Sequence, residues 1–576
     1  MKTKAVSEAR IQRRFVWRSR FAAVCLLACA AVLAARAVHL QVFSNDFLIR
    51  QADARHLRVA RIPAHRGIIT DRNGEPLAVS TPVDSVWVNP RELVQSPDSI
   101  PALALALGMN ADKLTRRLTR NVDKEFMYLR RHMRPADAQV IRSLRIPGVA
   151  IEREYRRYYP AGEVAGHLIG FTNIDDVGQE GLELAFDHWL AGKPGRKRVL
   201  QDRLGRVVED VERIESPSPG RALSVSIDLR IQYLAYRELK AAIQRHNARS
   251  GSVVVLDVAT GEVLAMVNQP AYNPNDRSQF KASKYRNRAI TDIFEPGSSI
   301  KPLIIAAALE SGQYTRNSLV DTSPGFVKVG IKVIEDEHNL GRIDLGTILA
   351  RSSNVGATKV AMSLPPELLY STLVGFGLGQ LSASGFPGES AGLLSHYSNW
   401  RPISQATLAY GYGLSVTPLQ LAQAYAAIAA GGLQHSVSLL RIDEPSIARR
   451  VISAETASTL LTMLEAVVGP DGTGKRAAIS GYRVGGKTGT VRKFAPGGYS
   501  DTRYTALFSG IAPVSNPRLA VVVIVDEPNA GVYYGGSVAA PVFARIVTGA
   551  LRILAIAPDD FPLSTKTGTT LAAIAR

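Results

Sequence analysis

The sequence predicts an α+β protein of several domains, in which one antiparallel sheet is covered by helices. Three observations lead to this fold class. A basic N-terminus precedes an apolar segment, a linker rich in proline and serine stands at 215–220, and the region after it begins and ends with strand-like runs around mainly helical patterns. The length of 576 residues also exceeds what one domain usually holds.

Composition and charge narrow the functional class. A hydrophobic content of 46% excludes a globally disordered chain. The formal net charge of +19 favours an anionic partner such as a membrane surface. Because no basic run is interleaved with aromatic residues, no nucleic-acid partner is expected. The histidines show no metal-ligand spacing, so neither a metal ion nor another cofactor is expected.

The N-terminal segment predicts a membrane anchor. Residues 1–20 form a basic tail, predicted to be cytoplasmic, and residues 21–43 form a transmembrane signal anchor. A cleaved signal peptide and a buried core helix are the alternatives. Because the positive flank stays inside, the rest of the chain is expected outside the cytoplasm. Both cysteines, Cys25 and Cys29, lie in this segment, which excludes a disulfide framework or a cysteine nucleophile beyond it.

Residues 44–215 are predicted to form a mixed α+β module without catalytic groups. Its clearest pattern is "RGIITDRNGEPLAVS", in which Asp-Arg-Asn-Gly separates two strand-like runs and predicts a hairpin. We expect Arg66, Asp71 and Gly74 to hold this module together rather than to contact a substrate.

Residues 220–558 are predicted to form the second domain. A helix should begin after Asp228 as its N-cap, and "SGSVVVLDVATGEVLAMVNQP" gives two strands around a turn. Two further strands, "YTALFSGIAPV" and "RLAVVVIVDEP", precede a closing helix. Residues 559–576 are expected to be a flexible tail.

The segment "FEPGSSIKPLIIAAALE" carries the first chemical motif. Ser298 falls at the start of an apolar helix, where free N–H groups favour developing negative charge. Lys301 lies one turn further on the same face. A serine beside a neutral lysine is a nucleophile beside its base. A simple helix cap is the alternative for this motif taken alone.

Two further motifs follow in the chain. In "ARSSNVGATKVAM", Ser352 and Asn354 fall on a turn between two helices, where they could relay a proton and hold an amide, or simply cap a helix. In "VGGKTGTVRK", Lys487 would place charge in a cleft, Gly489 would leave room for an extended ligand, and Thr490 could bind a carboxylate.

The order Ser-x-x-Lys, Ser-x-Asn, Lys-Thr-Gly is far more specific than its parts. It is the motif set of serine acyltransferases that include penicillin-binding proteins and serine β-lactamases. The tetrapeptide KTGT also occurs at 566–569, but that copy follows the closing helix, so we predict that it has no catalytic part.

The chain resembles the class B penicillin-binding proteins, in particular septal transpeptidases of the penicillin-binding protein 3 (FtsI) type. Typical stretches include "RRYYPAGEVAGHLIGFTN", "GQEGLE", "TLAYGYGLSVTPLQLA" and "YYGGSVAAPVF". The resemblance implies a five-stranded sheet of the serine β-lactamase type, a non-catalytic pedestal or dimerisation module, and a single-pass inner-membrane protein with its catalytic domain in the periplasm. It also implies stem pentapeptides and β-lactams as ligands, and an FtsW-like glycosyltransferase and other septal division proteins as partners.

The resemblance also implies catalytic roles. Ser298 would attack the penultimate D-Ala carbonyl with Lys301 as base, and Ser352 would pass the proton to the leaving amine. Asn354 would hold the substrate amide, and Lys487 would lower the pKa values of Lys301 and Ser352.

The remaining implied roles concern substrate binding. Thr488 and Thr490 would bind the terminal carboxylate, and the N–H groups of Ser298 and Thr490 would form the oxyanion hole. Tyr410 and Tyr412 are expected to line the cleft, with core packing as the alternative.

Four other interpretations stay open at this point. A β-lactamase would need a deacylating glutamate loop, which we do not find between Asn354 and Lys487. A β-lactam sensor would need a signalling membrane domain. An inactive scaffold is disfavoured because all motif residues are present, and a specialised, non-essential paralogue of the septal enzyme is a further alternative.

Overall fold

The computed structural model describes residues 2–43, 57–201, 207–276, 278, 282–444 and 448–560. The chain divides into two compact units. The first comprises Met1–Ala64, Val83–Glu154 and Lys193–Ser218, and the second comprises His65–Pro82, Tyr155–Gly192 and Pro219–Arg576.

The N-terminal helix spans Lys2–Val38 and continues as a π-helical turn over His39–Phe43. Its stretch Val16–Phe43 is, among the described residues, the one helix long and apolar enough to cross a membrane. The predicted anchor at 21–43 lies within this stretch.

The first unit combines small sheets with short helices. One antiparallel sheet has the order Leu57–Ile62, Gly195–Gln201, Val207–Glu215. The second half of the strand Pro76–Val88 pairs with Met127–Met133. The helices are Pro90–Leu93, Ile100–Leu107, Ala111–Thr119 and Pro135–Ser143, and the strand Val149–Tyr158 follows them. Leucine and valine side chains such as Val86, Leu103 and Leu114 form its core.

The early part of the second unit contains the predicted hairpin. Ile69–Thr70 pairs antiparallel with the start of Pro76–Val88, and the Asp71 carboxylate accepts the N–H groups of Asn73 and Glu75 in the turn. Further elements are the helices Gly166–Ile169, Gly181–Ala185 and Asp187–Leu190 and the strands Phe171–Thr172, Gly178–Glu180 and Leu223–Ser224. The hairpin prediction is therefore confirmed.

Arg66 is 2% exposed, although arginine usually lies at the surface. Its guanidinium binds the carboxylates of Glu183 and Asp187, each at 2.8 Å, and Arg157 binds Glu183 from the other side. Because a buried charge is costly unless it is paired, these contacts account for the position of Arg66 in the interior.

A five-stranded antiparallel sheet forms the centre of the second unit. Its strands are β1 (Ser250–Asp257), β2 (Val263–Gln269), β3 (Gly485–Ala495), β4 (Gly498–Ala512) and β5 (Leu519–Asp526). The order across the sheet is β2-β1-β5-β4-β3, so β3 is an edge strand. β1 and β2 are buried along their whole length, since helices cover both faces. The predicted fold class is confirmed.

Seven helices matter for the site and the core. They are α1 (Leu229–Arg245), α2 (Lys301–Glu310), α3 (Leu345–Ala350), α4 (Asn354–Ser363), α5 (Pro418–Ala429), α6 (Ala454–Val468) and α7 (Ala540–Ile553). α1 and α7 pack on one face of the sheet, and α2 and α5 belong to the core on the other. As predicted, the Asp228 carboxylate caps α1 by accepting the N–H of Arg230.

The remaining elements of the second unit are short. The helices are Ala282–Tyr285, Arg288–Thr291, Pro366–Gly375, Pro402–Leu408 and Gly535–Val538. The strand pairs are Leu319–Asp321 with Arg342–Asp344, Phe326–Val329 with Lys332–Glu335, and Leu433–Gln434 with Arg449–Arg450.

Candidate active site

Ser298 lies on a 3-10 turn, Gly297–Ile300, that leads directly into α2. The α-helix itself begins at Lys301, so the serine stands just before it. Ser298 is half-buried, whereas its neighbours Gly297 and Ser299 are buried. α2 is apolar on all sides because it runs through the core, which fixes the turn to a rigid element.

The turn is packed at its glycine against the backbone of Gly411 and the side chain of Val491. Gly297 has φ +54°, a conformation that favours glycine, and its N–H donates to Gly411 O at 3.2 Å. A Cβ at Gly297 would lie 2.4 Å from Val491 Cγ2, and a Cβ at Gly411 would lie 2.1 Å from Gly297 O. Both positions therefore require glycine for close approach.

The Ser352 turn joins α3 to α4, as the sequence predicted. Ser352 has φ +60°, an uncommon conformation for a residue with a side chain. Ser353 provides the helix cap, because its hydroxyl accepts the N–H of Gly356 at 2.8 Å. Ser352 itself is thus free of the capping role and presents its hydroxyl to the lysines.

Asp336 is a site residue that sequence reasoning missed. Its Oδ1 accepts the N–H groups of Asn354 at 2.5 Å and of Val355 at 3.1 Å. Its Oδ2 accepts the hydroxyl of Ser353 at 2.5 Å. A carboxylate at the first turn of α4 satisfies free N–H groups and complements the helix dipole. No spacing in the sequence connects Asp336 with the Ser-x-Asn motif.

Two buried lysines meet at the hydroxyl of Ser352. Lys301 Nζ lies 3.3 Å from Ser352 Oγ and donates to Ser352 O at 2.5 Å and to Asn354 Oδ1 at 2.8 Å. Lys487 Nζ donates to the same Oγ at 2.9 Å. Both lysine side chains are 0% exposed. The structure thus brings Lys301, Ser352, Asn354 and Lys487 together from three separate segments.

Burial changes the protonation of both amines. The pKa of Lys301 lies well below its ordinary value, mainly because burial penalises the charged ammonium group. The positive charge of Lys487 lowers this pKa further, whereas the negative charge of Asp336 raises it. Burial lowers the pKa of Lys487 to about 7. This shift favours the uncharged amine of Lys301, the form that can accept a proton.

The Lys-Thr-Gly segment lies on the edge strand β3. The Thr490 hydroxyl accepts the N–H of Gly535 at 2.9 Å, and the Thr488 hydroxyl contacts that of Thr473 at 2.9 Å. A Cβ at Gly489 would lie 2.6 Å from Leu507, so this glycine makes room for the neighbouring strand. That it also leaves room for a ligand stays a prediction.

Tyr410 and Tyr412 flank Gly411, which contacts the nucleophile turn. Tyr410 is buried, its ring lies 5.5 Å from that of Tyr412, and Lys332 Nζ lies 6.0 Å from its centroid. The Tyr412 hydroxyl accepts the N–H of Arg492 at 3.3 Å. Both rings thus stand beside the site and pack against their neighbours.

Tyr425, on α5, supports the nucleophile turn from the core. Its hydroxyl donates to Ser299 O at 2.8 Å, and its side chain is 0% exposed. Burial raises its pKa far above the ordinary value, so it remains a donor. This contact could not be predicted from the sequence, because Tyr425 stands in an apolar helix like any core residue. The second KTGT copy, at 566–569, lies outside the described residues.

Two family matches cover most of the chain. Residues 251–548 match the penicillin binding protein transpeptidase domain, and residues 61–225 match the penicillin-binding protein dimerisation domain. Both matches agree with the resemblance predicted from the motifs, which is confirmed.

Individual relatives agree with these matches. The chain is 44% identical over 555 residues to the peptidoglycan D,D-transpeptidase FtsI of Escherichia coli K12, covering 96% of this chain and 94% of that protein. It is similar to the solved penicillin binding protein 3 of Mycobacterium tuberculosis in complex with aztreonam, with a TM-score of 0.68, 28% identity and coverage of 87% and 98%. The transpeptidase domain of Burkholderia pseudomallei penicillin-binding protein 3 shows 45% identity, a TM-score of 0.55 and coverage of 59% and 98%. The chain therefore belongs to the penicillin-binding protein transpeptidases and carries their dimerisation domain.

Proposed function

We propose that this protein is a peptidoglycan D,D-transpeptidase that cross-links stem peptides at the division septum through an acyl-enzyme on Ser298. The observation that carries this proposal is the Ser352 hydroxyl between the buried amines of Lys301 and Lys487. Serine acyl transfer at neutral pH needs a neutral base near its nucleophile, and the depressed pKa of Lys301 supplies one.

Acylation begins with proton transfer from Ser298 to Lys301. A neutral amine has two hydrogens and one lone pair. The hydrogens of Lys301 are taken by Ser352 O and Asn354 Oδ1, at 2.5 Å and 2.8 Å, which leaves the lone pair to accept a proton. As Ser298 Oγ loses its proton, it bonds to the carbonyl carbon of the penultimate D-Ala.

The tetrahedral intermediate then collapses to the acyl-enzyme. Its oxyanion is held by the N–H groups of Ser298 and Thr490. The C–N bond to the terminal D-Ala breaks, and Ser352 passes a proton to the leaving amine while Lys301 replenishes the hydroxyl. The positive charge of Lys487, 2.9 Å from Ser352 Oγ, makes the Ser352 hydroxyl a better proton donor.

Thr488 and Thr490 bind the terminal carboxylate of the stem, and Asn354 holds its peptide amide. An amine of a neighbouring stem attacks the ester carbonyl and gives its proton to the Lys301–Ser352 pair. As the ester C–O bond breaks, the pair passes this proton to Ser298 Oγ, which restores the free hydroxyl. A β-lactam carries a carboxylate and a reactive amide in a similar arrangement. It would be opened by Ser298 and remain bound as a stable ester.

The cellular setting follows from the remaining parts of the chain. We place the catalytic domain at 220–558 in the periplasm and the non-catalytic module at 44–215, with the apolar helix as a single inner-membrane span. The seven basic side chains within residues 1–20 favour a cytoplasmic N-terminus. We further propose that the module and the anchor contact an FtsW-like glycosyltransferase and other septal proteins. Protease accessibility in spheroplasts tests the orientation.

Fluorescent penicillin labelling tests the chemistry. The wild type should become labelled and Ser298→Ala should not, while Ser299→Ala, the neighbouring serine, should retain labelling as a matched control. Release of D-Ala from a stem pentapeptide in the presence of an acceptor amine should follow the same pattern. An unlabelled wild type would end the proposal, and a labelled Ser298→Ala protein would assign the nucleophile to another residue.

A further inference from the structure

Thr473 stands beside the Lys-Thr-Gly segment, on the loop 469–474 that follows α6. Its hydroxyl oxygen accepts the hydrogen of the Thr488 hydroxyl at 2.9 Å. Thr488 is buried, with only 7% of its surface exposed, whereas Thr473 is exposed. Of these two hydroxyls, that of Thr473 is therefore the one that a ligand arriving from solvent can reach.

The hydrogen bonds around Thr488 leave one hydrogen free, on Thr473. Lys487 Nζ donates to Thr488 Oγ1 at 3.4 Å, and the Thr488 hydroxyl gives its own hydrogen to Thr473. A hydroxyl has one hydrogen and two lone pairs, so Thr473 can still donate. Within the described part of the chain, no acceptor takes this hydrogen. A series of hydrogen bonds that begins at Lys487 thus ends in an exposed O–H donor.

The backbone of Thr473 is attached to the end of α3. Its N–H donates to Ala350 O at 3.2 Å. The guanidinium of the next residue in that segment, Arg351, donates to Asp471 O at 3.1 Å. Since Ser352 follows directly, the loop that carries Thr473 is held by the same segment that carries the Ser352 hydroxyl.

Thr490 offers a second free hydroxyl hydrogen on the same side of β3. Its oxygen accepts the N–H of Gly535 at 2.9 Å, and residues 488 and 490 share a face because strand residues alternate. A Cβ at Gly536 would lie 2.3 Å from Thr473 O and 3.4 Å from Thr488 Cγ2, which places Thr473 on this face too. A carboxylate accepts hydrogen bonds at both oxygens and donates none, so it matches such a pair of donors.

We propose that Thr473 is a further substrate-binding residue of the Ser298 site, whose hydroxyl donates to the terminal carboxylate of the stem or to that of a β-lactam. This inference rests on the proposed transpeptidase function. Thr490 donates to the same carboxylate, and Thr488 acts on it by way of Thr473, which receives its hydrogen. Because hydrogen bonds in series polarise one another, the link to Lys487 strengthens the donor at the end. No covalent step occurs at Thr473.

The test measures the second-order rate constant of acylation for the full-length protein in detergent. Benzylpenicillin carries the carboxylate, and its methyl ester is the uncharged chemical control; both reactions are followed by intact-mass spectrometry. Thr473→Val keeps the shape of the side chain and removes the hydroxyl. It should lower the rate constant for benzylpenicillin about 10- to 100-fold, as loss of a hydrogen bond to a charged group does. The rate constant for the ester should fall by less than about threefold, because neutral hydrogen bonds are weaker.

Three further variants define the contact. Thr473→Ser restores the hydroxyl and should react within about threefold of the wild type. Thr462→Val is the matched control, because its hydroxyl donates only within α6, to Ser458 O at 3.2 Å, and it should react like the wild type. In a Thr488→Val background, Thr473→Val should slow the reaction further, since the Thr473 hydroxyl contacts the carboxylate itself. Thermal melts show that each variant is folded.

Three results would each overturn this inference. A wild-type rate constant in folded Thr473→Val protein removes the contact. An equal loss with the methyl ester removes the carboxylate as its partner. No further loss in the Thr488→Val background reduces Thr473 to a support for Thr488. A wild type that is not acylated would end the proposed function as well, whereas an acylated wild type with an unaffected Thr473→Val variant would end this inference alone.

Discussion

Replacement of Asp336 by asparagine should slow acylation and change its pH dependence. The carboxylate accepts three hydrogen bonds from the Ser353–Asn354–Val355 segment. Asparagine keeps one oxygen for the two N–H groups, but it loses the negative charge and cannot accept the Ser353 hydroxyl through its amide nitrogen. Loss of such a cap costs about 0.5–2 kcal/mol, and hydrogen bonds to a charged group contribute about 1.5–3 kcal/mol each.

These figures set the expected size of the effect. Asp336 helps to hold Asn354 and Ser352 toward Lys301. If its replacement raises the activation free energy of acylation by about 1–2 kcal/mol, the acylation rate constant falls about 5- to 30-fold. The charge of Asp336 also raises the pKa of Lys301, so its removal should lower that pKa further. Because Lys301 acts as the neutral amine, the acid limb of the rate profile should move to lower pH.

The assay is stopped-flow acylation by a fluorescent penicillin between pH 4 and 10, with thermal melts to confirm folding. Asp321→Asn is the matched control, because its carboxylate also accepts a neighbouring N–H, that of Ser323 at 2.8 Å, but it is exposed and does not affect the pKa of Lys301 as Asp336 does. A wild-type rate and an unmoved acid limb in Asp336→Asn would refute the reasoning.

Three other predictions concern the lysines and the core support of the turn. Lys487→Met should slow penicillin labelling by about 100-fold, as removal of a charged donor in an acyl-transfer site does. Lys566→Ala should label like the wild type. Equal losses would contradict the assignment of the two KTGT copies. In the wild type, the acylation rate should decline as pH rises through about 7, where Lys487 loses its charge, and a profile that stays level there would argue against an electrostatic role. Tyr425→Phe should lower the free energy of unfolding by about 1–3 kcal/mol, because Ser299 O is left buried without the hydroxyl that donates to it. Chemical denaturation measures this free energy. An unchanged denaturation midpoint would show that the contact is dispensable.

The order of the three motifs was enough to predict the family, the sheet and the candidate residues. Lys301, Ser352 and Lys487 were expected to act together, and the structure places both lysine Nζ atoms within 3.3 Å of Ser352 Oγ. The α1 cap at Asp228 was likewise predictable, because capping depends on local sequence.

Contacts between distant segments were not predictable in this way. Asp336 acts through three hydrogen bonds and Tyr425 through one, each to residues far away in the chain, and neither residue has a periodic or motif signal. The 3-10 form of the Ser298 turn also escaped prediction, because it depends on packing against Gly411 and Val491 rather than on helix propensity. The division of the chain into units shows the same limit, since His65–Pro82 and Tyr155–Gly192 join the unit of the sheet through long-range contacts.

The contact of Gly297 with Gly411 and Val491 restricts how this protein can evolve resistance to inhibitors. A larger residue at either glycine would push the chain that carries Ser298, since there is no space for a Cβ. The same displacement would impair reaction with the natural stem peptide as much as with a drug. Under antibiotic selection, we therefore expect tolerated substitutions on surfaces that meet only the variable side chain of the drug, with these two glycines unchanged.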